Sequence, residues 1–109
     1  ATDLGLLANQ EQLTAVGVIG LPGDVDAFSF FPAAAGTVTA TLSNAPPEMT
    51  MQVQFGGDTL NSCETGNGGL PNRCGFIFDG VAGNSYILSV RGLGNVVGSY
   101  ELSIQLETN

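Results

Sequence analysis

The feature that most constrains how this chain can fold is the alternation of apolar and polar residues, which recurs from residue 12 to residue 107. The segment SYELSIQLE at 99–107, for example, alternates Tyr, Leu, Ile and Leu with Glu, Ser, Gln and Glu. A period of two residues is that of a β-strand with one buried and one solvent-facing side. The alternation predicts seven strands, at 12–20, 26–31, 36–43, 48–55, 74–80, 85–92 and 99–107.

Turn-forming residues separate these segments. The motifs LPGD, NAPP, FGGD and VAGN combine Pro, Gly, Asn and Asp, the residues that favour tight turns. The predicted strands start roughly 10–15 residues apart, a spacing typical of sandwiches and barrels. One buried side per strand requires two antiparallel sheets packed face to face. We therefore predict one all-β domain over residues 1–109, an antiparallel β-sandwich of about seven to eight strands, with at most a helical turn around residues 4–11.

The inward-facing positions of the alternating segments define a predicted core. Both tyrosines of the chain, Tyr86 and Tyr100, fall on this side, whereas Phe31 and Ile87 fall on the other and are expected to be exposed or covered by a loop. The predicted core consists of Phe28, Phe30, Val38, Leu42, Leu88, Val90, Leu102 and Ile104.

The charge balance and residue composition argue against several classes of function. Ten Asp and Glu stand against only Arg73 and Arg91, for a net charge of −8, which repels nucleic acid phosphates and anionic lipid heads. The chain has no His for acid–base catalysis and no Lys for a phosphate-binding loop. No apolar run approaches the ~18 residues of a membrane helix. We therefore expect no enzymatic activity, no nucleic acid partner, no membrane partner and a monomer.

The two cysteines lie in one Gly-rich and Asn-rich segment, SCETGNGGLPNRC. A zinc site needs about four ligands, and the chain offers only Cys63 and Cys74 with no His. We favour a disulfide that closes a surface loop over two free thiols. A disulfide implies an oxidising compartment, so we expect a secreted, extracellular protein.

The motif LPGDVDAF places two carboxylates directly before a strand, and three interpretations are open. Two carboxylates together with backbone carbonyls would suit Ca²⁺, which makes Asp24 and Asp26 candidate metal ligands. Catalytic carboxylates would need a substrate cleft, and a domain of this size without Trp offers little to line one. Asp24 could instead cap the Pro-Gly turn while Asp26 bonds a neighbouring loop, as Asp residues do in turns. We favour the structural turn and expect no required cofactor, with Ca²⁺ as the alternative.

Polar rows on the outward sides of the strands form a candidate binding face. Thr39 and Thr41 belong to one row, Gln52 and Gln54 belong to another, and Arg91 is a possible anchor for an anionic group. Rows of hydroxyls and amides can bind a peptide or a sugar, but most antiparallel strands have a solvated polar side. Both interpretations stay open at this point.

Three segments together resemble the bacterial pre-peptidase C-terminal domain. They are GDVDAFSFF at 23–31, followed by a Gly-started alternating strand, then SYILSVRG at 85–92 and GSYELSIQL at 98–106. The matches to the family pattern are Gly23, Asp24, Asp26, Phe28, Phe30, Tyr86, Leu88, Val90, Gly98, Tyr100, Leu102 and Ile104. The resemblance implies a jelly-roll-like sandwich that is appended to secreted proteases and is not itself catalytic.

The same resemblance guides the expected function. Such domains aid secretion or maturation of the parent enzyme, or bind insoluble substrate. We therefore expect an accessory module of a secreted bacterial peptidase or other exported hydrolase, with the parent enzyme and an insoluble protein or polysaccharide as partners. The alternatives are a carbohydrate-binding module of a secreted glycoside hydrolase and a structural or adhesion domain of a cell-surface protein. Related collagen-binding modules bind Ca²⁺ at an acidic N-terminal linker, which this chain lacks, and present aromatic residues outward.

Overall fold

The computed structural model of the chain describes residues 2–66 and 70–108. Nine strands make up its regular structure. They are β1 (Thr2–Leu7), β2 (Gln12–Ile19), β3 (Val25–Pro32), β4 (Gly36–Ser43), β5 (Met49–Phe55), β6 (Asp58–Glu64), β7 (Cys74–Gly80), β8 (Tyr86–Gly92) and β9 (Gly98–Glu107). No helix in this part of the chain is long and apolar enough to cross a membrane.

The strands form two sheets with jelly-roll connectivity. The five-stranded sheet has the order β1-β3-β8-β5-β6, and the four-stranded sheet has the order β2-β9-β4-β7. From β2 to β5 successive strands alternate between the two sheets, and all pairings except that of β1 with β3 are antiparallel. The predicted all-β sandwich is therefore confirmed, and so is its jelly-roll character.

Two strands were not predicted from the alternation. β1 replaces the helical turn expected around residues 4–11, and it lies parallel to β3 with a register shift between Asp3 and Gly5. β6 is exposed along most of its length and follows β5 through the Gly56-Gly57 turn. Both are edge strands that bury little on either side, so neither carries the alternation of a half-buried strand.

The core lies between the two sheets and contains every residue predicted for it. The buried side chains include Phe28, Phe30, Val38, Leu42, Leu88, Val90, Leu102 and Ile104, together with both tyrosines. Phe31 and Ile87 are exposed, as the alternation predicts, with 38% and 39% of their surface accessible. The alternation therefore predicted correctly which side of each strand faces inward.

One open side of the sandwich is closed covalently. The predicted disulfide is confirmed: Cys63 of β6 is bonded to Cys74 of β7, with their Cα atoms 5.8 Å apart. β6 and β7 are the edge strands of different sheets, so the bond joins the two sheets besides closing a loop. The Asn61 side chain also donates to the Ile77 carbonyl at 2.9 Å across the same junction.

The first and last strands run in the same direction, so β1 begins at one end of the sandwich and β9 finishes at the other. Thr2 begins β1 beside Phe28 in the middle of β3, and Leu7 ends β1 beside Pro32, the last residue of β3. β9 ends with Glu107 beside Thr37, at the start of β4. β3 and β4 run in opposite directions along the sandwich, because each begins at the end where the other finishes.

Candidate functional site

The segment LPGDVDAF forms a tight turn followed by β3. The Asp24 N–H donates to the Leu21 carbonyl at 3.2 Å, which closes a four-residue turn over Pro22 and Gly23. Gly23 has a φ of 86°, a conformation that the third residue of such a turn requires and that favours glycine. The backbone of Asp24 thus closes the turn, and its side chain is exposed to solvent.

Asp26 has a different role. Its carboxylate accepts a hydrogen bond of 2.5 Å from the Tyr100 hydroxyl. Asp26 lies in β3 of the five-stranded sheet and Tyr100 in β9 of the four-stranded sheet, so this bond joins the two sheets. The expected partner of Asp26 was a neighbouring loop, and the structure places a strand of the opposite sheet there instead.

The Tyr100 phenol is buried and is held in its protonated form. Burial, then the hydrogen bond from the phenol to Asp26 and the charge of that carboxylate, raise the pKa of Tyr100 well above its ordinary value. The ring also packs edge-on against Phe28, with centroids 6.4 Å apart. Gly17 lies directly beside the ring, where any side chain would overlap the phenol.

This arrangement bears on the suggestion that Asp24 and Asp26 hold Ca²⁺. Among the described residues no group of three or more His, Cys, Asp or Glu side chains is placed to share a metal ion. One oxygen of Asp26 already accepts the Tyr100 proton, and Asp24 points into solvent. Because Ca²⁺ takes six to eight oxygen ligands, these two residues do not make a fitting site by themselves.

The five residues of the candidate binding face do not come together. Thr39 and Thr41 lie on β4 and face outward from the four-stranded sheet. Gln52 and Gln54 on β5 and Arg91 on β8 face outward from the five-stranded sheet. A single face containing all five is therefore wrong, because alternation predicts which side of a strand faces out but not which sheet the strand joins.

We call the outer side of the five-stranded sheet the Arg91 face. It consists of three cross-strand rows over β3, β8, β5 and β6, with Arg91 exposed at one end. The rows are Val25, Arg91, Thr50 and Glu64; Ala27, Ser89, Gln52 and Ser62; and Ser29, Ile87, Gln54 and Thr59. A shallow pocket of about 370 Å³ over β8, β5 and β6 brings Arg91 together with Thr50, Gln52 and Ser62.

Apolar side chains border this face along β1, β3 and β8. Val25 is 54% exposed, and Leu6 pairs with Phe31 across the β1–β3 junction. Together with Ile87 they give the face an apolar side next to a polar side. Arg and aromatic side chains are enriched at protein interfaces, and this face presents Arg91 and Phe31 to solvent.

The outer side of the four-stranded sheet is the second candidate, here called the threonine face. Two of its cross-strand rows contain only hydroxyl and amide side chains over β2, β9 and β4. They are Thr14, Ser103 and Thr41, and Gln12, Gln105 and Thr39. A groove of about 360 Å³ beside these rows is lined by Val16, Ser43 and Glu101 among others.

The polar interior offers no second site. Every buried side-chain nitrogen or oxygen in the described part of the chain has a hydrogen-bond partner. Thr65, the buried polar residue of the core, bonds the Pro46 carbonyl at 2.6 Å and accepts from the Met49 N–H at 3.0 Å. The interior of the described part of the chain therefore leaves no buried polar side chain free to hold a ligand.

Sequence reasoning missed the Asp26–Tyr100 pair and the position of Gly17 beside it. The residues are 74 positions apart in the chain, and one sequence alone carries no signal of such a contact. The available signal was indirect: a tyrosine predicted to face inward needs a partner for its hydroxyl. Asp26 was the carboxylate on the inward side of a neighbouring segment.

Comparison with known proteins adds information about the fold. No family model matches the sequence, and no curated protein does so. The pre-peptidase C-terminal domain of a Bacillus anthracis collagenase is 23% identical with a TM-score of 0.61, over 93% of each chain. An Aeromonas hydrophila periplasmic inhibitor of g-type lysozyme, PliG, is 13% identical with a TM-score of 0.66, over 97% of this chain and 100% of that one.

The same fold also occurs as part of a larger enzyme. A β-glucosidase from Paenibacillus barengoltzii matches 94% of this chain with 11% of its own length, at 14% identity and a TM-score of 0.54. These likenesses confirm, at the level of the fold, the resemblance to the pre-peptidase C-terminal domain. Because PliG has the same fold, the fold does not decide between an accessory module and an inhibitor.

Proposed function

We propose that this domain is a non-catalytic accessory module of a secreted bacterial peptidase or other exported hydrolase, and that it binds protein substrate through the Arg91 face. The observation that carries the proposal is Arg91 itself, exposed on a strand in the middle of a sheet, in a pocket that it shares with Thr50, Gln52 and Glu64. On a chain with ten carboxylates and two cations, a cation in this position offers a specific anchor for an anion.

The chemistry of the face fits a polypeptide. A guanidinium can hold a carboxylate through two parallel hydrogen bonds, which fixes orientation as well as affinity. The Gln52 and Gln54 amides can each donate and accept, as an extended backbone requires. Ile87 and Phe31 would then contact apolar side chains of the substrate.

Export is supported by two observations. The Cys63–Cys74 disulfide persists in oxidising compartments. Proteins of similar fold include a periplasmic inhibitor and a collagenase domain. The likeness to part of a β-glucosidase supports the idea of an appended module.

The experiment is a binding assay with casein and denatured collagen immobilised on beads, compared with cellulose and chitin. Arg91→Gln should weaken protein binding about tenfold, which corresponds to about 1.4 kcal/mol. Arg73→Gln is the matched control, because it removes the other cation of the chain, from an exposed loop outside the Arg91 face. Equal loss in both variants, or no binding to either protein, would contradict the proposal.

A carbohydrate-binding module is the second candidate, and the threonine face favours it. Its two rows of hydroxyls and amides could hydrogen-bond sugar hydroxyls across three strands. Sugar-binding sites also use aromatic stacking, but both tyrosines are buried here and the chain has no Trp. Binding to cellulose or chitin that Thr41→Val weakens and Arg91→Gln leaves intact would support this function over the first.

A further inference from the structure

β2 differs from the other three edge strands of the sandwich because it has none of the features that usually prevent another strand from pairing with an edge. It forms one edge of the four-stranded sheet and pairs only with β9 among the described strands. Its eight residues, QLTAVGVI, include no charge and no proline. The pairing with β9 continues from Gln12 to Ile19 without a register shift.

The other edges carry the devices that usually prevent strand addition. β1 has a register shift beside Asp3, and β6 has one between its pairings with Val53 and Gln54. β6 and β7 are joined by the Cys63–Cys74 disulfide. β2 lacks all of these and instead presents exposed apolar side chains, with Val16 77% and Val18 62% accessible.

We propose that the free edge of β2 is a docking site for an extended, cationic peptide segment of a partner protein, which adds to the four-stranded sheet as a fifth strand. The backbone N–H and C=O groups that point away from β9 would supply the hydrogen bonds of the new pair. Alternate side chains of the added strand would cover Val16 and Val18. The β2 edge belongs to the opposite sheet from Arg91, and the proposal does not depend on the function proposed for the Arg91 face.

The charge around β2 selects the chemistry of the partner. Glu101 is the β9 residue paired with Val16, and Glu11 directly precedes the strand. No cation lies on β2 or on β9, and the whole chain carries a net charge of −8. A lysine-bearing or arginine-bearing strand would be attracted by this field, whereas a second copy of the chain would be repelled by it.

The surface beside the edge leaves room for such a strand. A groove of about 450 Å³ runs between the β2 edge and the start of β3, lined by Gly17, Val25, Asp26 and Thr2 among others. At Gly17 the groove wall is the β2 backbone, with the Tyr100 phenol directly beneath it. Inward side chains of the added strand would occupy it, with the Asp26 carboxylate at its wall.

The test uses the whole domain and a fluorescein-labelled peptide of alternating valine and lysine, equal in length to β2. Fluorescence anisotropy should show binding, and amide hydrogen exchange should slow in β2 when the peptide is present. The first control peptide has the same charge and a proline at its centre, so it cannot complete the strand pair. The second has glutamate in place of lysine and is repelled by the negative charge around β2. Both should bind at least about tenfold more weakly.

Val16→Lys places a positive charge on the β2 edge and should weaken binding of the valine–lysine peptide by about tenfold or more. Ile77→Lys is the matched control, because Ile77 is 60% exposed on the same outer side of the sheet but on the disulfide-joined β7. Both positions are exposed, so both variants should fold. The proposal is overturned if the two variants bind alike, or if the peptide binds without slowing exchange in β2. It is also overturned if the protein alone sediments as a dimer that Val16→Lys dissociates, since the occupant would then be a second copy.

Discussion

Replacing Tyr100 by phenylalanine removes one hydroxyl and with it the hydrogen bond that joins the two sheets at Asp26. A hydrogen bond to a charged group contributes about 1.5–3 kcal/mol to stability. Because Asp26 is half-buried rather than fully buried, water can replace part of the lost bond, and the lower part of that range applies. We expect Tyr100→Phe to cost about 1.5–2 kcal/mol at neutral pH, or roughly 6–12 °C in melting temperature for a domain of this size.

The same bond predicts a pH dependence. The pKa of Tyr100 is raised in the folded state by burial and by Asp26, whereas an unfolded tyrosine ionises at about pH 10. The stability that depends on the protonated phenol is therefore fully present below about pH 10. Above it, each pH unit removes about 1.4 kcal/mol until the folded phenol also ionises. Tyr100→Phe has no such proton. The difference in free energy of unfolding between the wild type and Tyr100→Phe should therefore vanish between about pH 11 and 12.

Urea unfolding of both proteins at a series of pH values measures this difference directly, with tyrosinate absorbance as an independent record of ionisation. Tyr86→Phe is the control, since it removes the other phenol of the chain, whose oxygen accepts a hydrogen bond of 3.0 Å from the Val81 N–H. A second variant, Asp26→Asn, keeps an acceptor and removes the charge, and should retain part of the stability at neutral pH. A difference between wild type and Tyr100→Phe that stays constant from neutral to alkaline pH would refute the reasoning.

Three further predictions test the core, the disulfide and the turn. Leu102→Ala should cost about 2–5 kcal/mol in chemical unfolding and Ser103→Ala less than about 0.5; equal costs would mean that the strand register is wrong. Reducing the Cys63–Cys74 bond should lower the free energy of unfolding by about 3 kcal/mol, and an unchanged melting temperature would show that the two edges do not need it. Adding a chelator should leave the melting temperature of the wild-type protein unchanged, because Asp24 and Asp26 do not by themselves make a fitting Ca²⁺ site. If a saturated Ca²⁺ site were present, chelation would lower the melting temperature by several degrees, since a ligand at a concentration a hundredfold above its Kd contributes about 2.7 kcal/mol.

Much of the fold could be predicted because alternation reports burial directly. Residues such as Leu102 and Ile104 occupy the same side of one strand, and a one-residue slip would expose both. β6 could not be predicted in this way, because an edge strand that buries neither side has no alternation to show. β1 was missed for a similar reason, and its bulge next to Gly5 breaks the period further.

The candidate site was less predictable than the core. The outward direction of Gln52 and Thr41 followed from the alternation, but their assignment to opposite sheets depends on how the strands are connected. The partner of Asp26 depends on tertiary contact between β3 and β9. Such contacts are decided by packing across the whole domain, which a local pattern does not report.

Because the first and last strands run in the same direction, Thr2 and Glu107 lie at opposite ends of the sandwich, and this has a mechanical consequence. If tension is applied between Thr2 and Glu107, it pulls β1 lengthwise along β3 and β9 lengthwise between β2 and β4. Each terminal strand is then loaded in shear, so its interstrand hydrogen bonds must yield together instead of opening one after another. Forced extension depends on the unfolding barrier, and that barrier is highest when many bonds share the load. Single-molecule extension through Thr2 and Glu107 should therefore require a larger force than extension through a hairpin such as β5–β6.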